Sequence, residues 1–109
     1  MQRMGQIIGI DPTRIDDYKR VHAAVWPQVL ARITACQIRN YTIFLREPDN
    51  LMFAYWEYHG TDFVADMAAM AADPVTQEWW KLCMPMQRPL DSRGPEDWWA
   101  PMEPVFHLD

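Results

Sequence analysis

The sequence predicts an α+β fold with the ferredoxin-like order β-α-β-β-α-β, in which one antiparallel sheet carries its helices on one face. Three observations support this prediction. The chain has 109 residues, which suffices for a single domain over residues 1–109 and leaves no room for a second core. Half of the residues are apolar, as is typical of a globular protein. Short runs suited to strands alternate with stretches of helical periodicity in the stated order.

The first strand and the first helix come from the N-terminal third of the chain. Residues 4–10 are a short apolar run that predicts a strand. Asp11-Pro12-Thr13 is a helix-start signal. Pro27 should kink or restart the helix that follows, because it cannot donate to the carbonyl of Ala23 and its ring clashes with that group. The inward stripe of this helix, at spacings of three and four, is Ile15, Tyr18, His22, Val25, Val29 and Ile33.

The remaining elements follow from the same patterns. Apolar, β-branched and aromatic residues predict strands over 38–46 and 51–58, joined as a hairpin. Residues 85–101 are rich in proline and are expected to form an ordered but irregular crossing segment. Pro104 would make the last strand an edge strand or a bulged one. The other predicted elements are helices over 62–72 and 75–84 and a last strand over 102–108.

Strand 51–58 is apolar on both of its faces, which has a consequence for assembly. The helices can cover one face only, so a second cover is needed. We therefore predict both a ligand cavity and a homodimer that packs sheet against sheet. Alternation places Met52, Ala54 and Trp56 on one face and Leu51, Phe53 and Tyr55 on the other. In strand 38–46 it places Arg39, Tyr41, Ile43 and Leu45 on one face and Ile38, Asn40, Thr42 and Phe44 on the other.

Charge and apolar patterning exclude several partners. The formal net charge is −5 and the pI is about 5.0, so no basic stripe is available for nucleic acid, and an anionic membrane is disfavoured. Apolar runs fall well short of the roughly 20 residues that span a bilayer, and the N-terminus lacks the apolar region of a signal peptide. Cys36 and Cys83 are expected to be buried free thiols. We predict a cytoplasmic protein with no nucleic-acid and no membrane partner.

The sequence contains no motif for a metal or a cofactor. Its three histidines are far apart and lack metal-ligand spacing. There are four glycines and no phosphate-binding or nucleophile-elbow motif. We therefore predict no metal and no cofactor. His59 is expected to be solvated at a turn, whereas His107, on the last strand, could face the cavity. Glu57 and Glu103 lie on predicted strands and could act as an acid–base pair, although no spacing shows that they meet.

Tyr18 and His22 are the strongest candidates for chemistry. They lie four residues apart, so they are neighbours on one helix face, and both lie on the inward stripe. One interpretation is a core tyrosine and a core histidine with satisfied hydrogen bonds. The other is a proton-transfer pair in a cavity, because histidine titrates near neutral pH. In that case the carbonyl of Ala23, freed by Pro27, could orient an imidazole or a ligand hydroxyl. Tyr41 is either a surface tyrosine or a ligand contact.

Tryptophan is unusually frequent, with six residues, four of them in adjacent pairs. Adjacent side chains point in different directions, so at least one of each pair is expected off the main core face. Trp79 and Trp80 beside a cavity would suit the apolar face of a sugar ring. The second pair is Trp98 and Trp99.

These residues together resemble the signature of the L-rhamnose mutarotase family. The resemblance covers nearly the whole chain, in order, and implies a dimeric α+β barrel that interconverts the anomers of a 6-deoxy-hexose without cofactor or metal. It further implies that His22 is the main acid–base residue, that Tyr18 orients it or relays a second proton, and that Tyr18, Tyr41, Trp79 and Trp80 contact the sugar. The motifs are Tyr18-x3-His22-x3-Trp26-Pro27, Asn40-Tyr41-x-Ile43, Trp79-Trp80 and Val105-Phe106-His107-Leu108.

The chain departs from the family pattern in residues 87–101, where Glu96-Asp97-Trp98-Trp99 replaces a segment rich in Asn, Asp, Pro and Ser. This segment precedes the final strand and is expected either to close over the site or to reach the partner subunit. The departure keeps L-fucose or another aldose open as the substrate instead of L-rhamnose. Two other classes are alternatives, namely a haem-handling monooxygenase of the same barrel type and a non-enzymatic sugar-binding module.

Overall fold

In the computed structural model, which describes residues 1–109, five strands and four helices follow one another along the chain. The strands are β1 (Gln2–Ile10), β2 (Ile38–Arg46), β3 (Leu51–Tyr58), β4 (Gln87–Arg88) and β5 (Ala100–Met102). The helices are α1 (Ile15–His22), α2 (Pro27–Ala35), α3 (Phe63–Ala72) and α4 (Pro74–Cys83). Short 3-10 turns lie before α1 and after α4, at Pro12–Arg14 and Met84–Met86.

The strands form one antiparallel sheet in the order β2-β3-β1-β4, and β5 also pairs with β1. This places the N-terminal strand inside the sheet and the hairpin β2-β3 on one side of it. The arrangement is the ferredoxin-like α+β class, so the predicted fold is confirmed. None of the helices has the length and apolarity that crossing a membrane would require.

The core lies between the sheet and the helices. Its centre combines side chains from β1 and β3 with others from α1, α2, α4 and the turn after α4: Ile8, Ile10, Met52, Ile15, Tyr18, Val29, Trp79, Cys83 and Met86. A smaller cluster of Ile38, Trp56 and Tyr58 is covered by Phe63, Met67 and Met70 of α3. Burial of this apolar area is the main favourable contribution to folding.

Proline and aspartate set the helix boundaries. α1 ends at His22 and α2 begins at Pro27, which confirms that proline restarts the helix. Proline suits a first turn because the amide hydrogen that it lacks would have no partner there. At the start of α4, Asp73 accepts hydrogen bonds from the amide of Thr76 at 3.0 Å and from its hydroxyl at 2.7 Å. The break after His22 leaves that side chain at the end of a helix.

The predicted faces of β2 are partly wrong, because the strand contains a bulge. Ile38 pairs with Tyr58, but Ile43 pairs with Ala54, and the register shifts between Arg39 and Thr42. Asn40 has a φ of 54°, a conformation that asparagine tolerates better than most residues. Ile38 therefore shares the helix-covered face with Ile43 and Leu45, whereas Arg39 lies on the opposite face with Thr42 and Phe44.

The predicted last strand, 102–108, is also wrong. Two short strands, β4 and β5, occupy the free edge of β1, and residues 103–109 form no regular structure. Pro104 has no amide hydrogen with which to continue the ladder beyond Met102. The segment 103–109, called the C-terminal tail below, is fully exposed and leaves Val105, Phe106 and Leu108 uncovered.

The bulge in β2 is held by a carboxylate on the neighbouring strand. Glu57 accepts hydrogen bonds from the amide of Asn40 at 3.0 Å, the hydroxyl of Tyr55 at 2.7 Å and the Nε2 of His59 at 3.0 Å. These bonds, from His59, Tyr55 and Asn40 in decreasing order of effect, lower the pKa of Glu57 to about 2. Each favours the ionised carboxylate, which can only accept.

Because of this network, the free energy of unfolding should decrease as the pH falls into the acid range. Because the pKa of Glu57 in the folded chain lies below its ordinary 4.5, its contribution is complete above pH 4.5 and is lost as the pH falls towards 2. Thermal unfolding across this range should show a steeper fall in Tm for the wild type than for Glu57→Gln. Parallel curves would contradict the role given to this carboxylate, since the other carboxylates are common to both proteins.

Candidate active site

Helix α1 brings the two principal candidates together. Tyr18 and His22 lie one turn apart, and their rings stack with centroids 4.1 Å apart and planes inclined by 20°. Tyr18 is buried and His22 is half-buried, as their place on the inward stripe predicted. The aromatic packing continues to Trp79 of α4, whose ring meets the imidazole edge to face at 5.3 Å. The imidazole therefore has little freedom to rotate.

One hydrogen bond fixes the tautomer of His22. Its Nδ1 lies 2.9 Å from the backbone carbonyl oxygen of Tyr18. A carbonyl can only accept, so Nδ1 carries the proton and, in the neutral ring, Nε2 carries the lone pair. Nε2 has no hydrogen-bond partner within the chain. Every buried side-chain nitrogen and oxygen does have such a partner, so Nε2 must be accessible. The carbonyl that orients the imidazole is thus that of Tyr18 and not that of Ala23, whose other predicted partner, a ligand hydroxyl, stays a prediction.

Burial sets the resting charge of this imidazole. Desolvation lowers the pKa of His22 below its ordinary value, and the hydrogen bond to the Tyr18 carbonyl opposes this shift more weakly. The neutral form therefore predominates near neutral pH. A neutral imidazole with its lone pair on an accessible nitrogen is a competent proton acceptor.

A hollow of about 140 Å³ lies between α1 and the strands β1, β2 and β3. Tyr18 and His22 form part of its wall, and most of the remaining wall is aliphatic. At its rim, the Nζ of Lys19 lies 3.6 Å from a carboxylate oxygen of Glu47. An apolar hollow with a few polar groups is typical of a small-molecule site. The complete lining is Ile10, Ile15, Tyr18, Lys19, His22, Ile43, Leu45 and Met52.

The hydroxyl of Tyr18 is held by residues from the far end of the chain. The Nε2 of Gln87 donates to this hydroxyl at 3.1 Å, and the Nε1 of Trp98 donates to the Oε1 of Gln87 at 2.7 Å. Burial raises the pKa of Tyr18 well above its ordinary value, and the hydrogen bond from Gln87 only partly offsets this. The phenol therefore stays protonated across the physiological range.

Tyr41 comes from the strand β2, next to the bulge at Asn40. Its ring lies 6.4 Å from that of Trp56, and 40% of the residue is exposed. Burial raises the pKa of Tyr41 to about 12, with a smaller contribution from Cys83. Tyr41 also contributes to the raised pKa of Tyr18, which places the two hydroxyls in one electrostatic neighbourhood. Tyr41 is not part of the wall of the hollow.

The two tryptophans of α4 point in different directions, as adjacent helical residues must. Trp79 is buried and packs against both His22 and Trp26, with ring centroids 5.3 and 5.2 Å apart. Trp80 is 37% exposed and, like Trp79, is not part of the wall of the hollow. The structure thus brings Tyr18, His22 and Trp79 together and leaves Trp80 outside this group. Its role as a sugar contact stays a prediction.

Sequence reasoning missed Gln87 and Trp98 as functional candidates. Both belong to the segment in which the chain departs from the family pattern, which was expected to close over the site or to reach a partner. The contact from Gln87 spans 69 positions of sequence to Tyr18, so no local spacing could reveal it. The adjacent Trp98 and Trp99 were the one available signal.

The other titratable residues lie elsewhere. Glu57 and His59 pair with each other beside the bulge, at the end of β3, whereas Glu103 and His107 belong to the C-terminal tail. His107 bonds Asp109 at 2.8 Å rather than facing the hollow. No three side chains of histidine, cysteine, aspartate or glutamate are grouped as metal ligands would be.

The chain is similar in sequence to proteins named L-rhamnose mutarotase. A family model for L-rhamnose mutarotase matches residues 3–108. Proteins named L-rhamnose mutarotase from Oceanobacillus iheyensis and Pectobacterium carotovorum are 29% and 31% identical, and each alignment covers 100% of both chains. A third, from Listeria monocytogenes, is 32% identical over 99% of both chains.

Solved structures agree on the fold. An L-rhamnose mutarotase from Formosa agariphila matches with a TM-score of 0.79 and 20% identity over 100% of both chains. Tetracenomycin F2 cyclase from Streptomyces glaucescens, a polyketide cyclase, matches with a TM-score of 0.73 and 15% identity, covering 100% of this chain and 98% of the cyclase. At these identities the likeness concerns the fold alone.

The hydrogen bond from Nδ1 predicts how His22 behaves in solution. Nitrogen-15 NMR should show a neutral imidazole with its proton on Nδ1 and a pKa below 6.5, because burial disfavours the charged ring. Comparison with His22→Gln assigns the resonance. A proton on Nε2, or a pKa above 6.5, would contradict the geometry described here.

Proposed function

We propose that the protein interconverts the α and β anomers of L-rhamnose, with His22 as its acid–base residue. The chain belongs to the L-rhamnose mutarotase family. The family match extends over residues 3–108, so it includes every residue of the candidate site. It favours this activity over the haem-handling and non-enzymatic alternatives, and L-rhamnose over L-fucose. The observation that carries the assignment of His22 is its hydrogen bond to the Tyr18 carbonyl.

The reaction requires two proton transfers and no change in oxidation state. A proton leaves the anomeric hydroxyl while the bond between C1 and the ring oxygen breaks, and the ring oxygen gains a proton. The resulting aldehyde rotates about C1–C2 and recloses on its other face, which reverses both transfers. Positioned acid–base groups can each accelerate such steps by roughly 10²–10⁴-fold.

His22 is suited to take the first proton. Its Nε2 carries the lone pair and is accessible, and His22 lines the hollow together with Tyr18. The lowered pKa keeps the ring neutral near pH 7 and thus ready to accept. The imidazolium formed in ring opening returns the proton when the ring recloses. This matches the role that the family resemblance gave to His22.

Tyr18 and Tyr41 are assigned to the sugar hydroxyls and to the second proton. Burial raises the pKa of both phenols, that of Tyr41 to about 12, so both stay protonated. A protonated Tyr18 beside His22 can donate to the ring oxygen as negative charge develops there. Trp79 supports the site by packing its edge against the imidazole, and Trp80 offers an exposed indole face for an apolar part of the sugar.

A homodimer is the second part of the proposal. Phe44 and Phe53 lie on the sheet face away from the helices, stack with ring centroids 6.3 Å apart, and are 56% and 36% exposed. In the C-terminal tail, Val105, Phe106 and Leu108 are 79–90% exposed. A second copy of the chain that covers this face and these side chains would remove a large apolar area from water. The dimeric barrel implied by the family resemblance supports this assembly.

A cytoplasmic location is the third part of the proposal. Cys36 and Cys83 are both buried and unpaired, as in proteins of a reducing compartment. Burial raises the pKa of the Cys83 thiol to about 11, so it stays protonated and unreactive.

Removing the imidazole tests the assigned activity. His22→Ala should lose anomer exchange on L-rhamnose by roughly 10²-fold or more, because the acid–base group is absent. Saturation-transfer NMR between the two anomeric proton signals measures the exchange, and circular dichroism checks the fold. The same assay on L-fucose should show slower exchange in the wild type.

The matched control is His59→Ala, which removes an exposed imidazole that follows β3 and does not line the hollow, while Asn40 and Tyr55 still bond Glu57 at the bulge. It should retain wild-type exchange. Full exchange in a folded His22→Ala protein would contradict the role of His22, and absence of exchange in the wild type would contradict the activity.

Charge on the bare sheet face tests the dimer. Phe44→Glu should convert the protein to monomers in sedimentation velocity, because an unpaired carboxylate would be buried between the copies. Val64→Glu, on the outer side of α3 and 78% exposed, is the control and should remain dimeric. A monomeric wild type, or a dimeric Phe44→Glu, would refute this part of the proposal.

A further inference from the structure

We propose that Trp98 and Gln87 are positioning residues that force the Tyr18 hydroxyl to donate its hydrogen bond to the sugar. The inference rests on the proposed mutarotase function and adds two residues from the segment in which the chain departs from the family pattern. It follows from two hydrogen bonds in sequence, from the Trp98 indole to the Gln87 amide oxygen and from the Gln87 amide nitrogen to the Tyr18 hydroxyl.

The polarity of this chain of hydrogen bonds starts at the indole. The Nε1–H of Trp98 can only donate, so the atom of Gln87 that lies 2.7 Å away must be the amide oxygen. The amide nitrogen then faces Tyr18, at 3.1 Å from its hydroxyl oxygen. An amide nitrogen also only donates, so the phenol oxygen must accept. The single hydrogen of the phenol is left for another acceptor.

That acceptor is not supplied by the protein. The Tyr18 hydroxyl makes its one hydrogen bond within the chain to Gln87. Tyr18 belongs to the wall of the hollow together with His22, whose Nε2 is a hydrogen-bond acceptor. The site therefore presents one acceptor and one donor of fixed sense. A sugar ring opening between them needs this combination, since its anomeric hydroxyl gives a proton and its ring oxygen gains one.

The backbone holds Gln87 where this contact requires it. Gln87 pairs with Ile10 and Arg88 pairs with Gly9 in the ladder between β4 and β1. The approach at Gly9 is so close that a Cβ there would lie 2.6 Å from the carbonyl oxygen of Arg88. The glycine thus allows β4 to pair with β1, and this pairing places Gln87 opposite the inward-facing Ile10.

Trp98 is fixed by its own packing. Its indole packs against the central core, and the guanidinium of Arg93 lies 5.9 Å above its ring. Trp99 also packs against the core, but only Trp98 makes a side-chain hydrogen bond to Gln87. The second tryptophan pair therefore divides into one residue that packs and one that also orients an amide.

The test reverses the polarity without changing the shape. In Gln87→Glu the carboxylate still accepts from Trp98, but it also accepts from Tyr18 and so takes the phenol hydrogen away from the sugar. We expect kcat for anomer exchange to fall about tenfold or more, with a smaller change in KM. Tyr18→Phe should lose a similar factor, and the double variant should lose no more than Tyr18→Phe alone, because both changes remove the same donor.

Trp98→Phe is the second variant, since it keeps an aromatic ring and deletes the N–H that orients the amide. It should also lower kcat, whereas the control Trp99→Phe should retain wild-type kcat and KM. Circular dichroism and Tm verify that each variant folds, and if Gln87→Glu does not fold, Trp98→Phe decides the question.

The outcomes separate this inference from the proposed function. Absence of exchange in the wild type would contradict the function. Exchange in the wild type together with undiminished kcat in folded Gln87→Glu and Trp98→Phe would overturn the inference alone. Losses that multiply in the double variant would also overturn it, because they would show that Gln87 does not act through Tyr18.

Discussion

The hydrogen bond from Nδ1 of His22 to the carbonyl of Tyr18 is the interaction on which the site depends. It joins two residues of the same helix one turn apart, so it is available as soon as α1 forms. It determines which nitrogen carries the proton and therefore which one faces the substrate. The stacked rings of the two residues and the edge of Trp79 hold this geometry. A single helical turn thus holds the proposed acid–base group, its orientation and its phenolic neighbour.

The sheet gives this turn its surroundings. One face of β3 packs against the helices, and its Met52 lines the hollow. The other face of β3 is uncovered in the single chain. The bulge at Asn40 turns the second half of β2 so that Ile43 and Leu45 join the wall of the hollow. The site and the proposed dimer surface are therefore opposite faces of the same two strands.

Local patterns predicted much of this fold. Strands β2 and β3 have the bounds expected from their composition, and Pro27 ended the first helix because its effect is steric and acts on its own neighbours. The inward stripe identified the candidate residues Tyr18 and His22, because helical spacing is also a local property. Features that depend on distant contacts were not accessible. The bulge requires Glu57 on another strand, β4 requires a close approach at Gly9, and Gln87 reaches Tyr18 across most of the sequence. The last strand was expected to continue to residue 108, but pairing ends with β5 at Met102.

His22 is the last residue of α1, and this position has an energetic consequence. The carbonyl groups at the C-terminal end of a helix carry partial negative charge, which favours a nearby cation. Burial makes the resting imidazole neutral. In the proposed reaction the imidazolium would form beside these dipoles, which are in place before a substrate binds. The helix terminus would thus lower the energetic cost of that charged intermediate without a carboxylate partner.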